Sequence, residues 1–265
     1  MSKEKVKKYW DVEFITFEDF YEHVNTTLNN MYRKQTITNL KQFNKSIIDP
    51  TKMVFDSFTN GFSKRELIDV ELYRQVDKSI NNDIGYFHQN LFNYIKDWYV
   101  PDAGFDIENH TNSIFAEMKN KHNTMNSASS QKTYIKLQQK LLEDSNATCY
   151  LVEIIAKKSQ DINWNCKVDG KNYSHDKIRR ISIDKFYELV TGDKYAFKKI
   201  CEWLPIVIYI LNKEKNINNT TNDILSELQE IDSNFIDSIF KISYPTYIGF
   251  DNLNIRFKEQ IPDLT

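Results

Sequence analysis

The sequence predicts an α/β (α+β) fold in which a mixed central β-sheet is flanked by helices. Three observations predict it. Helical periodicity fills the chain to about residue 98, strands occupy the middle, and helices return after residue 183. The run 147–157, Ala-Thr-Cys-Tyr-Leu-Val-Glu-Ile-Ile-Ala-Lys, is short, apolar and rich in β-branched residues, as a buried central strand is. Residues 104–121 alternate as a hairpin around the polar turn Asn109-His-Thr-Asn112. With no internal repeat and no long linker, the expectation is one domain over 1–265. It has a helical N-terminal part of about 1–82 and a core of about 83–215.

Composition removes several classes. Apolar residues make up 40% and aromatics 14% of 265 residues, enough for a substantial core. Mean hydropathy is −0.59, and no apolar run approaches the roughly 20 residues of a membrane helix, so no membrane partner is expected. The N-terminus, Met1 to Trp10, is basic but has no apolar region behind it, unlike a signal peptide. Cys149, Cys166 and Cys201 are widely spaced and form no Cys-x-x-Cys pair. That argues against a disulfide framework or a zinc site and for a reduced, cytoplasmic setting. A net charge of −2 argues against a protein that coats nucleic acid. It leaves room for a site-specific one whose basic residues line a single cleft. Residues 118–142 hold five lysines (Lys119, Lys121, Lys132, Lys136, Lys140) and no acid, a local concentration of that kind.

In order along the chain, Thr16 caps a helix carrying Phe17, Phe20, Tyr21, Val24 and Leu28 at spacings of three and four. Asn60-Gly61 breaks the chain. The capping box Ser63-Lys-Arg-Glu66 opens a second helix through Leu67, Val70 and Tyr73. A third, about 83–98, aligns Ile84, Phe87, Leu91, Ile95 and Trp98. His88 beside that face reads as a core histidine, or with Gln89 and Asp83 as a neighbour of the cleft, since this helix feeds the hairpin. After the hairpin, the Asn/Ser/Thr-rich stretch 122–131 leads into a helix with Tyr134, Leu137, Leu141 and Leu142. Strands are expected around 163–168 and 177–183 with a turn at Asp169-Gly170. A helix follows near 184–190, then an apolar helix over 195–211 interrupted by Pro205. A loop over 213–222, a helix over 223–241 and a short strand in the tail, with Tyr244-Pro and Ile248-Gly-Phe, complete the chain.

The chemistry is concentrated in the hairpin. Alternate strand residues share a face, so Phe115, Glu117, Lys119 and Lys121 point one way and Ile114, Ala116 and Met118 the other. Asp106, on the partner strand, can reach Glu117. Asp102 of Pro101-Asp102 competes for the role of first carboxylate, but Pro101 and Gly104 mark a turn there, so Asp106 is preferred. Glu108, on the face of Asp106, is a weaker candidate. Two carboxylates with a backbone carbonyl, here that of Met118, suit a hard divalent cation such as Mg2+. A lysine beside such a cation can orient an attacking water, and the set serves phosphodiester hydrolysis. Lys121, Asn123, Thr124, Asn126 and Ser127, ahead of a helix N-terminus, are candidates for DNA phosphate contact. Simple helix capping explains the polar ones equally well. Lys171, Lys177, Arg179 and Arg180 form a second basic cluster. Arg179 and Arg180 are candidates for DNA contact, because arginine reads guanine bidentately, and a solvated hairpin is the plain alternative.

Asp-x10-Glu-x-Lys over Asp106, Glu117 and Lys119 resembles the signature of the PD-(D/E)xK nuclease superfamily. Ile-Gly-Tyr-Phe-His-Gln (84–89), Phe-Asp-Ile-Glu-Asn (105–109), Glu-Met-Lys-Asn-Lys-His-Asn-Thr-Met-Asn (117–126) and Lys-Phe-Tyr-Glu-Leu-Val-Thr-Gly (185–192) resemble the type II restriction endonucleases of GGNCC-type sites. The similarity covers most of the chain. It implies Mg2+-dependent cleavage of double-stranded DNA leaving 5′-phosphates, usually by a homodimer, and a companion DNA methyltransferase. A structure-selective or repair nuclease of the same superfamily, and a DNA-binding protein that has lost catalysis, remain as alternatives.

Overall fold

The structure, a computed structural model, describes residues 3–34, 52, 55, 56, 59–62, 64–215, 232, 233, 241, 244 and 246–254. The chain divides into two compact units, Met1–Val24 with Gln89–Thr265, and Asn25–His88.

Asn25–His88 is helical where it is described, apart from Gly61 and Phe62. It takes the C-terminal part of α2 (Phe17–Lys34) and nearly all of α3 (Lys64–Asn90). One 27-residue helix therefore replaces the two expected over 63–73 and 83–98. Residues 74–82 contain neither Gly nor Pro, so nothing stops the helix between those stretches. Gly85, inside it, costs only about 1 kcal/mol relative to alanine. On α3 the buried Glu71 accepts from Arg74 Nε at 2.7 Å and from Gln75 Nε2 at 2.9 Å. The Arg74 guanidinium holds the Glu71 carboxyl below its usual range. Ser63, the expected cap, lies outside the described residues.

Met1–Val24 with Gln89–Thr265 contains the sheet. Its helical entry is α1 (Lys3–Lys7) and the start of α2. Thr16 caps α2 as expected, its Oγ1 accepting from the Asp19 amide at 3.1 Å. Phe17, Phe20, Tyr21 and Val24 are buried. At the other end, α3 stops at Asn90 rather than at 98. A 3-10 turn (Leu91–Tyr94), extended Ile95 and left-handed Asp97 (φ 67°) take over. Leu91, Ile95 and Trp98 are buried nonetheless. Their apolar character was legible in the sequence, and their backbone was not.

The sheet has five strands in the order β1-β2-β3-β7-β4. β2 (Ile114–Lys121), β3 (Thr148–Ile155) and β7 (Ile178–Ser182) are parallel, with β3 between the others. β1 (Ile107–Asn109) and β4 (Asp161–Asn163) pair antiparallel at the edges. β5 (Cys166–Val168) and β6 (Lys171–Tyr173) form a separate ribbon around Asp169-Gly170. Both turn residues have positive φ, 46° and 82°, as the expected tight hairpin requires. β3 buries six consecutive side chains, as its apolar run predicts for a strand packed on both faces.

Helices cover both faces. On one, Phe115, Cys149, Leu151 and Ile178 pack against Tyr134 and Leu137 of α4 (Ser127–Glu143) and against Trp164. On the other, Ala116, Met118, Tyr150, Val152, Ile154 and Ile181 meet a second core. It is built from Phe92, Trp98, Phe186 and Tyr187 of α5 (Ile183–Thr191), and Phe197 of α6 (Ala196–Lys215). α4 begins earlier than expected, because Asn126 Oδ1 accepts from the Ser129 amide at 2.9 Å and caps it. Leu142 is not core but 87% exposed, since it sits about 100° around the helix from Leu141. α6 continues through Pro205, so 213–215, expected as loop, are helical. Residues 216–222 and nearly all of the helix expected over 223–241 lie outside the described residues.

The tail makes turns over 246–252, with no strand among its described residues. Tyr244, Tyr247, Phe250 and Leu253 are buried. Tyr247 Oη donates to the Ile154 carbonyl at 2.9 Å and accepts from the Ala156 amide at 3.0 Å, binding the tail to the end of β3. Burial raises the Tyr247 phenol far above its ordinary pKa, so the donor keeps its proton. Tyr247→Phe leaves both backbone groups without this partner. Urea unfolding is expected to show a loss of about 1–3 kcal/mol.

Candidate active site

The hairpin of β1 and β2 forms as the alternation predicts, with one displacement. β1 begins at Ile107 rather than Gly104. Gly104 (φ 112°) and the bend at Asp106 keep that segment out of the ladder. The bend turns Asp106 toward β2, where its Oδ2 accepts from the Met118 amide at 2.7 Å. Gln89 fixes the same bend by donating to the Asp106 carbonyl at 3.0 Å. In an extended strand the amide and carbonyl of one residue point to the same side. The Met118 carbonyl is therefore directed toward the Asp106 side of β2, while its side chain is buried in the opposite core.

Glu117 lies on the face covered by α4 and is only 8% exposed. A buried carboxylate needs charge compensation, and two lysines provide it. Lys119 Nζ is 3.7 Å from Oε2, and Lys136 Nζ of α4 contacts Oε1. Lys136 also donates to the Gly104 carbonyl at 2.5 Å and lies 4.6 Å from the Phe105 ring centroid. Lys136 stood in the lysine-rich segment but not among the candidate site residues. Nothing local in the sequence places a helix lysine on a strand acid nineteen positions earlier.

The other candidate acids lie in a turn, in a local hydrogen bond or in the other unit. Asp102 is exposed in the turn. Glu108 Oε1 accepts from the Phe105 amide at 3.2 Å and its Oε2 faces His110 Nε2 at 2.9 Å, so this carboxylate closes its own turn. Asp83 and His88 belong to the Asn25–His88 unit. Among the described residues, no group of three or more His, Cys, Asp or Glu side chains is placed to hold a metal ion. The donors available are two carboxylates and one carbonyl. They fit a hard cation that keeps several waters or takes oxygens from its substrate. All three cysteines are free and buried. Burial pushes the Cys149 thiol up to about 12, so it offers no nucleophile.

The candidate DNA-contact residues separate into distinct settings. Lys121, Asn123, Thr124 and Ser127 are exposed between the end of β2 and the first turn of α4. Thr124 Oγ1 donates to the Lys121 carbonyl at 2.7 Å, and Asn126 is the α4 cap, so both shape this segment. Arg179 and Arg180, adjacent in β7, point to opposite faces. Arg179 is bound to Asp161 (Nε–Oδ1 2.6 Å) and Asn163 (Nη1–Oδ1 2.9 Å), and it fastens β4 to β7. Arg180 shares the Glu117 face. It pairs with Glu153 and reaches the His122 carbonyl at 3.4 Å, joining the segment after β2 to β7. Glu153 is 1% exposed, and its Oε2 has no hydrogen-bond partner among the described residues. A charge inside an apolar strand is the sequence signal for such a pair. Register places Glu153 beside Lys119 and Ser182. The polar groups thus collect toward the carboxyl ends of the three parallel strands, where open α/β sheets bind ligands.

Comparison with known proteins identifies the family. The chain is 30% identical over 256 residues to the type II restriction enzyme Sau96I of Staphylococcus aureus, covering 90% of this chain and 98% of that enzyme. It is 32% identical over 215 residues to the type II restriction enzyme Eco47II of Escherichia coli, covering 76% of this chain and 89% of that enzyme. No solved structure gives a significant match. Residues 12–213, which span the hairpin, α4 and the whole sheet, match the family model described as Eco47II restriction endonuclease. The chain belongs to the Eco47II restriction endonuclease family and is a type II restriction endonuclease built on a mixed five-stranded sheet flanked by helices.

Proposed function

We propose that this chain hydrolyses double-stranded DNA at a short palindromic, G/C-rich site of GGNCC type, with Mg2+ and leaving 5′-phosphates. One observation carries the reading of the site. The 2.7 Å bond from the Met118 amide to Asp106 brings the first acid onto the backbone of Glu117-Met118-Lys119. Asp106, Glu117 and the Met118 carbonyl would hold the cation. Magnesium, when bound, supplies Lewis-acid stabilisation of charge on the phosphoryl oxygens. Lys119 positions a water for in-line attack. The water oxygen bonds to phosphorus as the bond to O3′ breaks; the water gives up a proton to solvent, and O3′ takes one from solvent and leaves as a hydroxyl. Lys121, Asn123, Thr124 and Ser127 hold the backbone through exposed polar groups, with Asn126 setting the helix end beneath them. Arg180, held by Glu153, is the better of the two arginines for base or phosphate contact, because it shares the Glu117 face and Arg179 points to the other.

We further infer that the chain works as one restriction-endonuclease-like domain, with its core over about 83–215. It acts as a homodimer on a twofold-symmetric site, in the cytoplasm, beside a companion methyltransferase that protects host DNA. The dimer reading follows from the palindrome, since a twofold site calls for a twofold protein. Three unpaired cysteines support a reducing compartment. Among the described residues, no helix is long and apolar enough to cross a membrane.

The test uses a short labelled duplex containing one candidate site, digested with MgCl2 and with EDTA. The expected result is one cut per strand, in MgCl2 alone. The 5′ ends should accept label from a polynucleotide kinase only after phosphatase treatment. Cleavage in EDTA, or ends that label without phosphatase, would refute the metal or the product assignment.

A further inference from the structure

We propose that Lys136 is a resident counter-cation of the candidate site, which holds Glu117 until a divalent cation displaces it. This inference rests on the metal-site reading above and adds a competitor to it. Lys136 Nζ makes three contacts at once. It meets Glu117 Oε1 and the Gly104 carbonyl, and it lies 4.6 Å from the centroid of the Phe105 ring. A carboxylate oxygen, a carbonyl oxygen and an aromatic face are the groups that a cation seeks.

Glu117 is bonded at one oxygen and charge-compensated at the other. Lys136 covers Oε1, and Lys119 stands 3.7 Å from Oε2. A divalent cation joining Glu117 would bring two positive charges against the Lys136 ammonium. The two cations repel each other across one carboxylate. The lysine is the one able to leave. Its side chain is 38% exposed, and the ammonium ends a flexible four-carbon stem on the surface of α4. Glu117, buried on β2, stays where it is. Without a counter-charge, Glu117 would be a buried uncompensated carboxylate, which is strongly destabilising. Lys136 therefore serves the metal-free protein and opposes metal binding. Apparent affinity is the intrinsic affinity multiplied by the fraction of molecules with Lys136 withdrawn. A site built this way binds its cation weakly alone. Binding strengthens when another anion, such as a DNA phosphate, can accept the released ammonium.

The experiment titrates Mn2+ into the full chain without DNA, following loss of the free-ion electron paramagnetic resonance signal, and records thermal unfolding in EDTA. Wild type, Glu117→Ala, Lys136→Met and Lys136→Arg are compared. Lys136→Met is expected to bind Mn2+ about tenfold tighter than wild type. It should also unfold several degrees lower in EDTA, with Mn2+ returning more stability than it gives to wild type. Lys136→Arg should keep both wild-type values near their original level, because the charge remains. Lys136→Gln replaces Lys136→Met if the latter does not fold. If wild type binds Mn2+ through Glu117 and the neutral variants bind equally or more weakly, the competitor role is wrong while the metal site stands. If neither wild type nor the neutral variants bind Mn2+, or Glu117→Ala binds as well as wild type, the metal-site reading falls and this inference with it.

Discussion

Lys119→Ala is expected to slow DNA cleavage about a thousandfold, the middle of the range for losing a positioned proton-handling or water-orienting group. The mutation removes no core contact. Lys119 is half-buried at the carboxyl end of β2, and its charge faces Glu117 rather than the apolar clusters. Fold, melting temperature and site-specific gel shift should therefore stay close to wild type while the single-turnover rate collapses. That division marks a residue used in the reaction rather than in the scaffold. A rate within tenfold of wild type would remove Lys119 from the proposed role. Equal loss of folding and cleavage would make it a structural partner of Glu117.

The largest stability effect is expected at Phe186. Its ring is fully buried on the sheet face opposite Glu117, 5.2 Å from Phe92, 5.6 Å from Trp98 and 5.8 Å from Tyr150 between centroids. Phe186→Ala removes one of the ring contacts that bind α5 to β3 and to the turn after α3. Such truncations cost about 3–5 kcal/mol. Urea unfolding followed by tryptophan fluorescence measures the loss directly, since Trp98 is one of the ring partners. A loss below about 1 kcal/mol would mean that this cluster can collapse around the gap, contrary to its close packing. Protein that remains folded at low temperature should still cleave, because Phe186 lies across the sheet from the proposed chemistry.

These two positions differ in how far the sequence reveals them. Glu117 and Lys119 are read from strand alternation, a local property, and the hairpin that carries them is legible for the same reason. The central strand is legible because a sheet covered on both faces leaves a continuous apolar run. The bend at Asp106 was partly hidden. An aspartate between Phe105 and Ile107 reads as strand, and only the hydrogen bond to Met118 shows that it leaves the ladder. The continuity of α3 was hidden because weak helix formers such as Asn81 and Asn82 imitate a boundary without containing a breaker. Arg179 and Arg180 show the limit most clearly. Adjacent strand residues face opposite ways, so the register of β7 alone decides which one binds β4 and which lies beside Glu153. Lys136 was out of reach altogether, because its partner is set by how α4 packs on β2.

The most direct test of the central claim is digestion of an unmethylated, fully sequenced plasmid with purified protein and MgCl2, beside the Lys119→Ala variant. The account predicts discrete fragments whose ends all map to one short palindrome, and intact plasmid with the variant. Intact DNA at every wild-type concentration, or a smear without a common site, would contradict it.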